Sequence, residues 1–257
     1  MHLIRLVARI ILSNLMQYII RKSALIGFIY LTFQIVGCAG SAGSADENRS
    51  VNQNVKSATT PPPITDRPKI IAFGDSLTAG YGLDSWEKSY PALLQRSVDD
   101  AGYDYQVLNY GQGGDTAEGG LKRLWLVLDV SNTKIFVLAL GANDVVKKIP
   151  PEQIRQNLSE IIQRVKAKNS KVLLCGIFAP TDYGEDYANE IKDMYAGLAR
   201  ENDIPLLPSL MQDVSGNPGV LLADGIHPNE EGARIIEKNV FAAVRPLLEK
   251  DDQKRNE

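Results

Sequence analysis

The segment that most restricts the fold is KIFVLAL, the almost unbroken apolar run from Lys134 to Leu140. A strand with one face in water alternates apolar and polar residues, whereas a strand covered on both faces is apolar nearly throughout. Both faces are covered when helices pack on each side of a parallel sheet. The segment therefore predicts a central strand of such a sheet, and the chain leaves this strand at Gly141.

Strand-type segments and amphipathic helices alternate along the rest of the chain. Further strands are predicted at residues 70–73, 104–109, 171–178 and 204–207. Helical spacing of apolar residues predicts helices over residues 90–101 and 116–130, from Pro150 onward, over 185–201 and from after Asn229 to about Leu248. This alternation predicts an α/β domain, and right-handed crossovers make a three-layer α/β/α, flavodoxin-like arrangement of a parallel five-stranded sheet the simplest solution.

Residues 1–37 have the pattern of a signal peptide. The apolar run from Ala24 to Gly37 follows two basic residues and is shorter than the ~20 residues that span a bilayer. It ends in the sequence IVGC, which resembles a bacterial lipoprotein signal in which Cys38 is lipidated and becomes the new N-terminus. An uncleaved anchor helix is the alternative. Because leaders normally carry their positive charges near the start, we also hypothesise that translation begins at Met16.

The segment after the cysteine lacks the apolar residues that a packed core requires. Residues 38–67 contain hardly an apolar side chain and include three consecutive prolines near their end, so they are predicted to form the lipidated cysteine and a disordered tether. We therefore expect the folded domain to occupy residues 68–250. The polar residues 251–257 are expected to be a frayed tail.

Charge and cysteine content exclude several classes of function. The formal net charge is −3, and without the four basic residues of the first 37 the chain has 24 basic against 31 acidic residues, or −7. A nucleic-acid partner would require a basic face, so none is expected. With Cys38 lipidated no disulfide can form, and Cys175 in its apolar strand is expected to be a buried, inert thiol. Cys/His clusters with ligand spacing are missing from the sequence, so neither a metal nor another cofactor is expected.

A candidate nucleophile stands at the end of the first predicted strand. The stretch KIIAFGDSLTAGYG places Ser76 directly after this strand, at the sheet edge where parallel sheets bind ligands. His2 lies in the removable leader, so histidine-dependent chemistry in the mature protein falls on His227. Asp224 stands three residues earlier and could fix the imidazole tautomer, as a Ser-His-Asp triad requires. The alternative is that the DGIHPN segment only caps the last helix, with Asn229 as the N-cap.

Two further residues follow predicted strands and would lie at the same edge. Gly114 follows the second strand, and a glycine lets a backbone N–H approach a substrate oxygen. Asn143 follows the third strand, and its amide can donate a hydrogen bond to a developing negative charge. Each signal alone is also typical of turns and helix caps. Together with Ser76 and His227, they place four roles of acyl-transfer chemistry on four loops.

These four blocks, in this order, resemble the SGNH or GDSL hydrolases over residues 69–248. The matching blocks are FGDSL, GGDT, GAND and the DxxH of DGIHPN, and they look most like the bacterial thioesterase I, arylesterase and lysophospholipase branch. The resemblance implies a serine hydrolase with nucleophile Ser76, base His227 and its partner Asp224. It also implies an oxyanion hole made by the N–H groups of Ser76 and Gly114 and the side chain of Asn143.

The resemblance gives expectations for the substrate as well. Loops 145–150 and 179–184 would border an acyl pocket, with Ile149, Pro180 and Tyr183 as wall residues. The expected substrate is a small acyl ester or a lysophospholipid, and the expected location is the cell envelope, membrane-anchored through the lipid and facing the periplasm. Two alternatives remain: a carbohydrate or peptidoglycan O-acetylesterase, and a non-catalytic lipoprotein that binds lipid in the envelope.

Overall fold

The structure, a computed structural model, describes residues 61–256. The predicted signal peptide, Met16, Cys38 and the tether up to residue 60 lie outside the described residues. The described chain contains one sheet of five parallel strands in the order β2-β1-β3-β4-β5. The strands are β1 (Lys69–Gly74), β2 (Gln106–Gly111), β3 (Thr133–Ala139), β4 (Lys171–Cys175) and β5 (Leu206–Leu207). This order is the flavodoxin-like one, which confirms the predicted fold class.

The α-helices of the described chain follow the strands in the predicted alternation. They are α1 (Ser76–Ala79), α2 (Tyr90–Asp100), α3 (Ala117–Arg123), α4 (Trp125–Leu128), α5 (Ala142–Val146), α6 (Pro151–Ala167), α7 (Glu185–Asn202) and α8 (Glu230–Asn256). The single helix expected over residues 116–130 is two helices that meet at Leu124, whose N–H bonds to Leu121 three residues back. The spacing of apolar residues in this segment predicts that Leu121, Leu124, Trp125 and Leu128 share one face, but the tighter turn buries Leu124 and leaves Trp125 68% exposed, outside that face.

The apolar run that predicted a central strand is β3. It lies between β1 and β4 in the sheet, and its residues Ile135 to Leu138 are at most 2% exposed, because helices cover both faces of the sheet. The rings of Phe136 and Phe73 contact each other across the sheet with centroids 5.3 Å apart. Burying an aliphatic or aromatic side chain of this size contributes roughly 1.5–3 kcal/mol relative to leaving it exposed. The sheet is therefore a rigid base for the loops at its carboxyl edge.

Helices cover the sheet in two layers. Helix α2 packs against α8 on one side, and α6 packs against α3 and α7 on the other. The covering faces of α6 and α8 are the predicted apolar ones, including Ile154, Leu158 and Ile161 on α6 and Ile236 and Val240 on α8. No helix in residues 61–256 is both long enough and apolar enough to span a membrane.

Both ends of the domain differ from the predicted boundaries. Before Pro68, the backbone N–H of Thr65 donates to Gln106 Oε1 at 2.8 Å, and the Arg67 guanidinium donates to Asp104 at 2.8 Å. At the other end α8 continues to Asn256, and Asp251 accepts a 2.6 Å hydrogen bond from the buried Tyr105 hydroxyl. Polar composition suggested disorder at both places, but specific hydrogen bonds hold these residues to the domain.

Candidate active site

Ser76 stands at the sharp turn between β1 and α1. The carboxylate of Asp75 caps α1 by accepting a hydrogen bond from Leu77 N at 3.0 Å. A side chain at Gly74 is excluded, because a Cβ there would lie 2.1 Å from the Thr78 hydroxyl and 2.6 Å from the Ala139 carbonyl oxygen. The Gly-Asp-Ser sequence thus lets the chain pass closely under its own helix and present Ser76 at the carboxyl edge of the sheet.

Ser76 and the DGIHPN loop, 151 residues apart in sequence, meet at this edge. Ser76 Oγ lies 2.9 Å from His227 Nε2, and His227 Nδ1 lies 2.7 Å from Asp224 Oδ2. These distances are those of hydrogen bonds, so the three side chains form one connected chain. The structure therefore brings together the nucleophile, base and acid that the sequence predicts, with the geometry that a Ser-His-Asp triad requires.

Asp224 is held by its own loop as well as by the imidazole. Its Oδ1 accepts the backbone N–H groups of His227 at 3.0 Å and of Ile226 at 2.9 Å. These two bonds, followed by the bond from the His227 ring, lower the pKa of Asp224 to about 2. The carboxyl group is thus ionised at neutral pH, and it can accept a hydrogen bond from Nδ1–H, which leaves Nε2 unprotonated and able to accept the proton of the serine hydroxyl.

The same loop also caps the last helix, although capping is not its only role. Asn229 Oδ1 accepts the backbone N–H groups of Glu231 at 3.0 Å and Gly232 at 3.1 Å, which caps the start of α8. The capping residue lies two positions after His227, so the two roles do not compete. The cap places the histidine loop at the first turn of the long helix α8.

Sequence reasoning missed an aromatic neighbour of the histidine. The ring of Tyr81 packs on the ring of His227 with centroids 4.5 Å apart, and Tyr81 is 59% exposed. Tyr81 follows α1 in the GYG sequence, where its only signal was an aromatic residue close to the candidate serine. The contact restricts the imidazole orientation from the solvent side.

The two remaining predicted oxyanion residues flank the serine turn. A Cβ at Gly113 would lie 4.0 Å from Ser76 Cβ, so the glycine loop runs beside the nucleophile, and Gly114 has a positive φ of 82°. Asn143 lies in α5, and its Nδ2 donates to the Asp115 carbonyl oxygen at 2.9 Å. The same Nδ2 also donates a longer hydrogen bond to Asp75 Oδ2 at 3.5 Å, so both contacts orient the Asn143 amide beside the serine turn.

Three buried aspartates surround these predicted donors, and none was singled out from the sequence. Asp75, Asp115 and Asp144 are at most 8% exposed. Burial raises the pKa of Asp75 to about 6 and also raises the pKa of Asp144, whose carboxylate accepts the N–H of Ala117 at 2.8 Å. The sequence could have indicated these aspartates only by their position, because each is adjacent to Ser76, Gly114 or Asn143 in its sequence block.

The residues predicted for the acyl pocket lie in two loops that contact each other. Ile149 and Tyr183 are partly buried against the core, whereas Pro180 is exposed. The Tyr187 hydroxyl donates to the Ile149 carbonyl oxygen at 3.0 Å, and the Lys148 ammonium lies 4.6 Å from the centroid of the Tyr183 ring. Their role in binding an acyl chain stays a prediction.

The described residues contain no group of three or more His, Cys, Asp or Glu side chains that could hold a metal ion. Cys175 is fully buried in β4, and burial raises the pKa of its thiol to about 12. It therefore stays protonated at neutral pH, in agreement with the inert thiol expected from the sequence.

The site consists of a serine, a histidine and an aspartate that are hydrogen-bonded in line at the carboxyl edge of a parallel sheet. This arrangement defines a serine hydrolase built on an α/β fold. The chain belongs to the GDSL-like lipase/acylhydrolase family, whose model matches residues 72–235. This membership confirms the resemblance to the SGNH or GDSL hydrolases that the four sequence blocks indicated.

Individual relatives belong to the branch that the blocks favoured. The chain is 37% identical over 179 residues to the esterase TesA of Pseudomonas aeruginosa, covering 70% of this chain and 89% of the relative. It is 36% identical over 182 residues to the thioesterase 1/protease 1/lysophospholipase L1 of Escherichia coli K12, covering 71% and 86%. A crystal structure of TesA matches with a TM-score of 0.67 at 37% identity, covering 70% of this chain and 99% of that one.

Proposed function

We propose that this protein hydrolyses carboxylic esters and thioesters of acyl chains through an acyl-enzyme at Ser76. The observation that carries the proposal is the hydrogen-bonded chain from Ser76 Oγ through His227 to Asp224. The family membership and the names of the two relatives, an esterase and a thioesterase/lysophospholipase, support the same reaction class.

The reaction divides into two half-reactions that use the same groups. His227 Nε2 accepts the hydroxyl proton while Ser76 Oγ bonds to the acyl carbonyl carbon, and the carbonyl oxygen becomes an oxyanion. The N–H groups of Ser76 and Gly114 and the amide of Asn143 would bind this oxyanion. His227 then donates its proton to the departing alcohol or thiol. Water attacks the acyl-enzyme with the same base, and the acid leaves as Ser76 recovers its proton.

For the substrate we propose a small acyl ester or a lysophospholipid, bound with its acyl chain along loops 145–150 and 179–184. Apolar side chains are exposed there and just before, including Val146 at 61% and Phe178 at 53%. Such exposure in residues next to a polar reaction centre suits a ligand with a hydrocarbon chain. Ile149, Pro180 and Tyr183 would form the remaining wall.

The catalytic proposal is tested by Ser76→Ala with Ser131→Ala as the matched control, because Ser131 is an exposed serine that precedes β3 at the opposite edge. We expect Ser76→Ala to abolish hydrolysis of p-nitrophenyl acyl esters and labelling by a fluorophosphonate probe, with unchanged circular dichroism. Ser131→Ala should behave as wild type. Wild-type activity in a clean Ser76→Ala preparation would contradict the mechanism, and an unreactive wild type would favour a non-catalytic binding lipoprotein.

The substrate proposal is tested by the rates on p-nitrophenyl esters of increasing acyl length. Medium and long chains should be accepted, because exposed apolar side chains flank the proposed acyl path. Strict preference for acetyl would instead favour the O-acetylesterase alternative.

We also propose that the mature protein is a lipoprotein of the cell envelope, anchored at Cys38 and facing the periplasm. The sequence IVGC and the apolar, basic-flanked leader support this. Metabolic labelling with a clickable fatty acid should mark the wild type and the control Cys175→Ala but not Cys38→Ser. A membrane-bound wild type without label would favour the uncleaved anchor helix.

A further inference from the structure

An arginine lies directly behind the candidate site. Arg123 is the last residue of α3, and its side chain is only 11% exposed. Its guanidinium forms an ion pair with the carboxylate of Asp115 and donates a 2.8 Å hydrogen bond to the Gly74 carbonyl oxygen. The planar group also lies 4.0 Å from the centroid of the Phe73 ring. Three separate contacts therefore fix the guanidinium.

Each contact leads to a segment that carries a proposed oxyanion donor. Gly74 is the last residue of β1, two residues before Ser76, and its carbonyl oxygen also accepts the Gln112 N–H at 2.9 Å from the glycine loop. Asp115 immediately follows Gly114, and its own carbonyl oxygen accepts the amide of Asn143. Arg123 thus connects, through one or two bonds each, the serine turn, the glycine loop and the asparagine side chain.

The chemistry of arginine suits this connection better than that of other side chains. A guanidinium has several donors in a rigid planar fork, so it can bond a carboxylate and a carbonyl at fixed angles while it stacks on an aromatic ring. A lysine would supply one point charge and could not hold both partners in the same geometry. The buried ion pair between Arg123 and Asp115 is not in itself an argument that Arg123 stabilises the fold, because proteins in which apolar residues replace such a pair are often equally stable.

We propose that Arg123 is a positioning residue that sets the spacing of the Ser76, Gly114 and Asn143 donors for the oxyanion. This role rests on the proposed hydrolase function. Arg123 has no contact with the reacting atoms in this arrangement, and it acts on turnover through the donors that it holds in place. Because the oxyanion forms only after substrate is bound, loss of Arg123 should lower kcat and leave KM nearly unchanged.

The first measurement compares Arg123→Gln with Arg155→Gln on a short-chain p-nitrophenyl ester. Arg155 pairs with Glu201 across α6 and α7 and is one-third exposed, so its substitution removes the same charge away from the site. Since one oxyanion donor is worth about 100-fold or more in turnover, we expect Arg123→Gln to lower kcat by about 10-fold or more. KM should change by no more than about two-fold, and Arg155→Gln should keep both constants near wild type.

A double-mutant cycle separates positioning from a general structural role. In the Asn143→Ala background one of the held donors is already absent, so the further loss of kcat on adding Arg123→Gln should be several-fold smaller than in wild type. Arg123→Lys should recover part of the kcat, because it keeps the charge beside Asp115 without the fork. If Arg123→Gln does not fold, as judged by circular dichroism, the cycle is run with Arg123→Lys.

Distinct outcomes overturn this inference and the hydrolase proposal. An active wild type, an inactive Ser76→Ala and an Arg123→Gln variant with full kcat would overturn only the positioning role. The same holds if the loss appears in KM alone, or if it is equally large with and without Asn143. An inactive wild type would overturn the hydrolase function itself, on which the positioning role depends.

Discussion

The most quantitative test of the structure concerns the buried carboxyl group of Asp75. Asp75 is 1% exposed, and burial raises its pKa from 3.8 to about 6, opposed by the hydrogen bond from Leu77 N and by the charge of His227. The negative charges of Asp115 and Asp144 raise it further. The folded protein therefore holds the Asp75 proton more tightly than the unfolded chain does.

The sign of the stability effect follows from this difference. Between the unfolded pKa of 3.8 and the folded pKa of about 6 the folded state binds more protons, so the free energy of unfolding falls as pH rises. The contribution is fully present below pH 3.8 and is lost above pH 6. Two pKa units correspond to about 3 kcal/mol, of which about 2 kcal/mol is lost between pH 4 and pH 8.

Asp75→Asn removes this titration while keeping an oxygen that can accept the Leu77 N–H. We therefore expect the difference in free energy of unfolding, variant minus wild type, to increase by about 2 kcal/mol from pH 4 to pH 8. Urea unfolding at a series of pH values measures it, and comparing two pH values cancels any constant effect of the amide. Asp129→Asn is the control, because Asp129 is 87% exposed and pairs with Lys168 at the surface. A difference that stays constant from pH 4 to pH 8 would refute the reasoning.

Two further predictions concern single carboxyl groups. Asp224→Ala should lower kcat for ester hydrolysis by about 100-fold or more, because the imidazole loses the partner of its Nδ1, and near-wild-type turnover would contradict the triad. Glu237, 7% exposed on α8, has a buried Oε1 without a hydrogen-bond partner, and burial raises its pKa against the opposing effects of Ser97 and Lys238. Glu237→Gln removes the buried charge and should therefore raise the free energy of unfolding at pH 8, with a smaller gain at pH 4 where the folded carboxyl is protonated. Urea unfolding with the exposed Glu249→Gln as control measures this, and an equal gain at both pH values would exclude the ionisation effect.

Much of the fold was predictable because it depends on local apolar patterns. The unbroken run of β3 indicated a doubly covered strand, and alternation with helices reduced the topologies to the parallel order that the structure has. The errors occurred where contacts distant in sequence override composition. Thr65 bonds to Gln106 and Asp251 bonds to Tyr105, and neither partner could be inferred from the polar segments themselves.

The same division applies to the candidate site. By itself the sequence determined which residue types stand at strand ends, and the single histidine outside the predicted leader made the pairing of Ser76 with His227 a necessary one for triad chemistry. Only the tertiary structure decided which groups surround Ser76 and His227. These are the buried Asp75, the Arg123 side chain with its contacts to Gly74 and Asp115, and the Tyr81 ring that packs on the imidazole. The physical reason is that residue type and spacing report local preference, whereas burial, pKa and donor orientation depend on neighbours that folding brings together from distant parts of the chain.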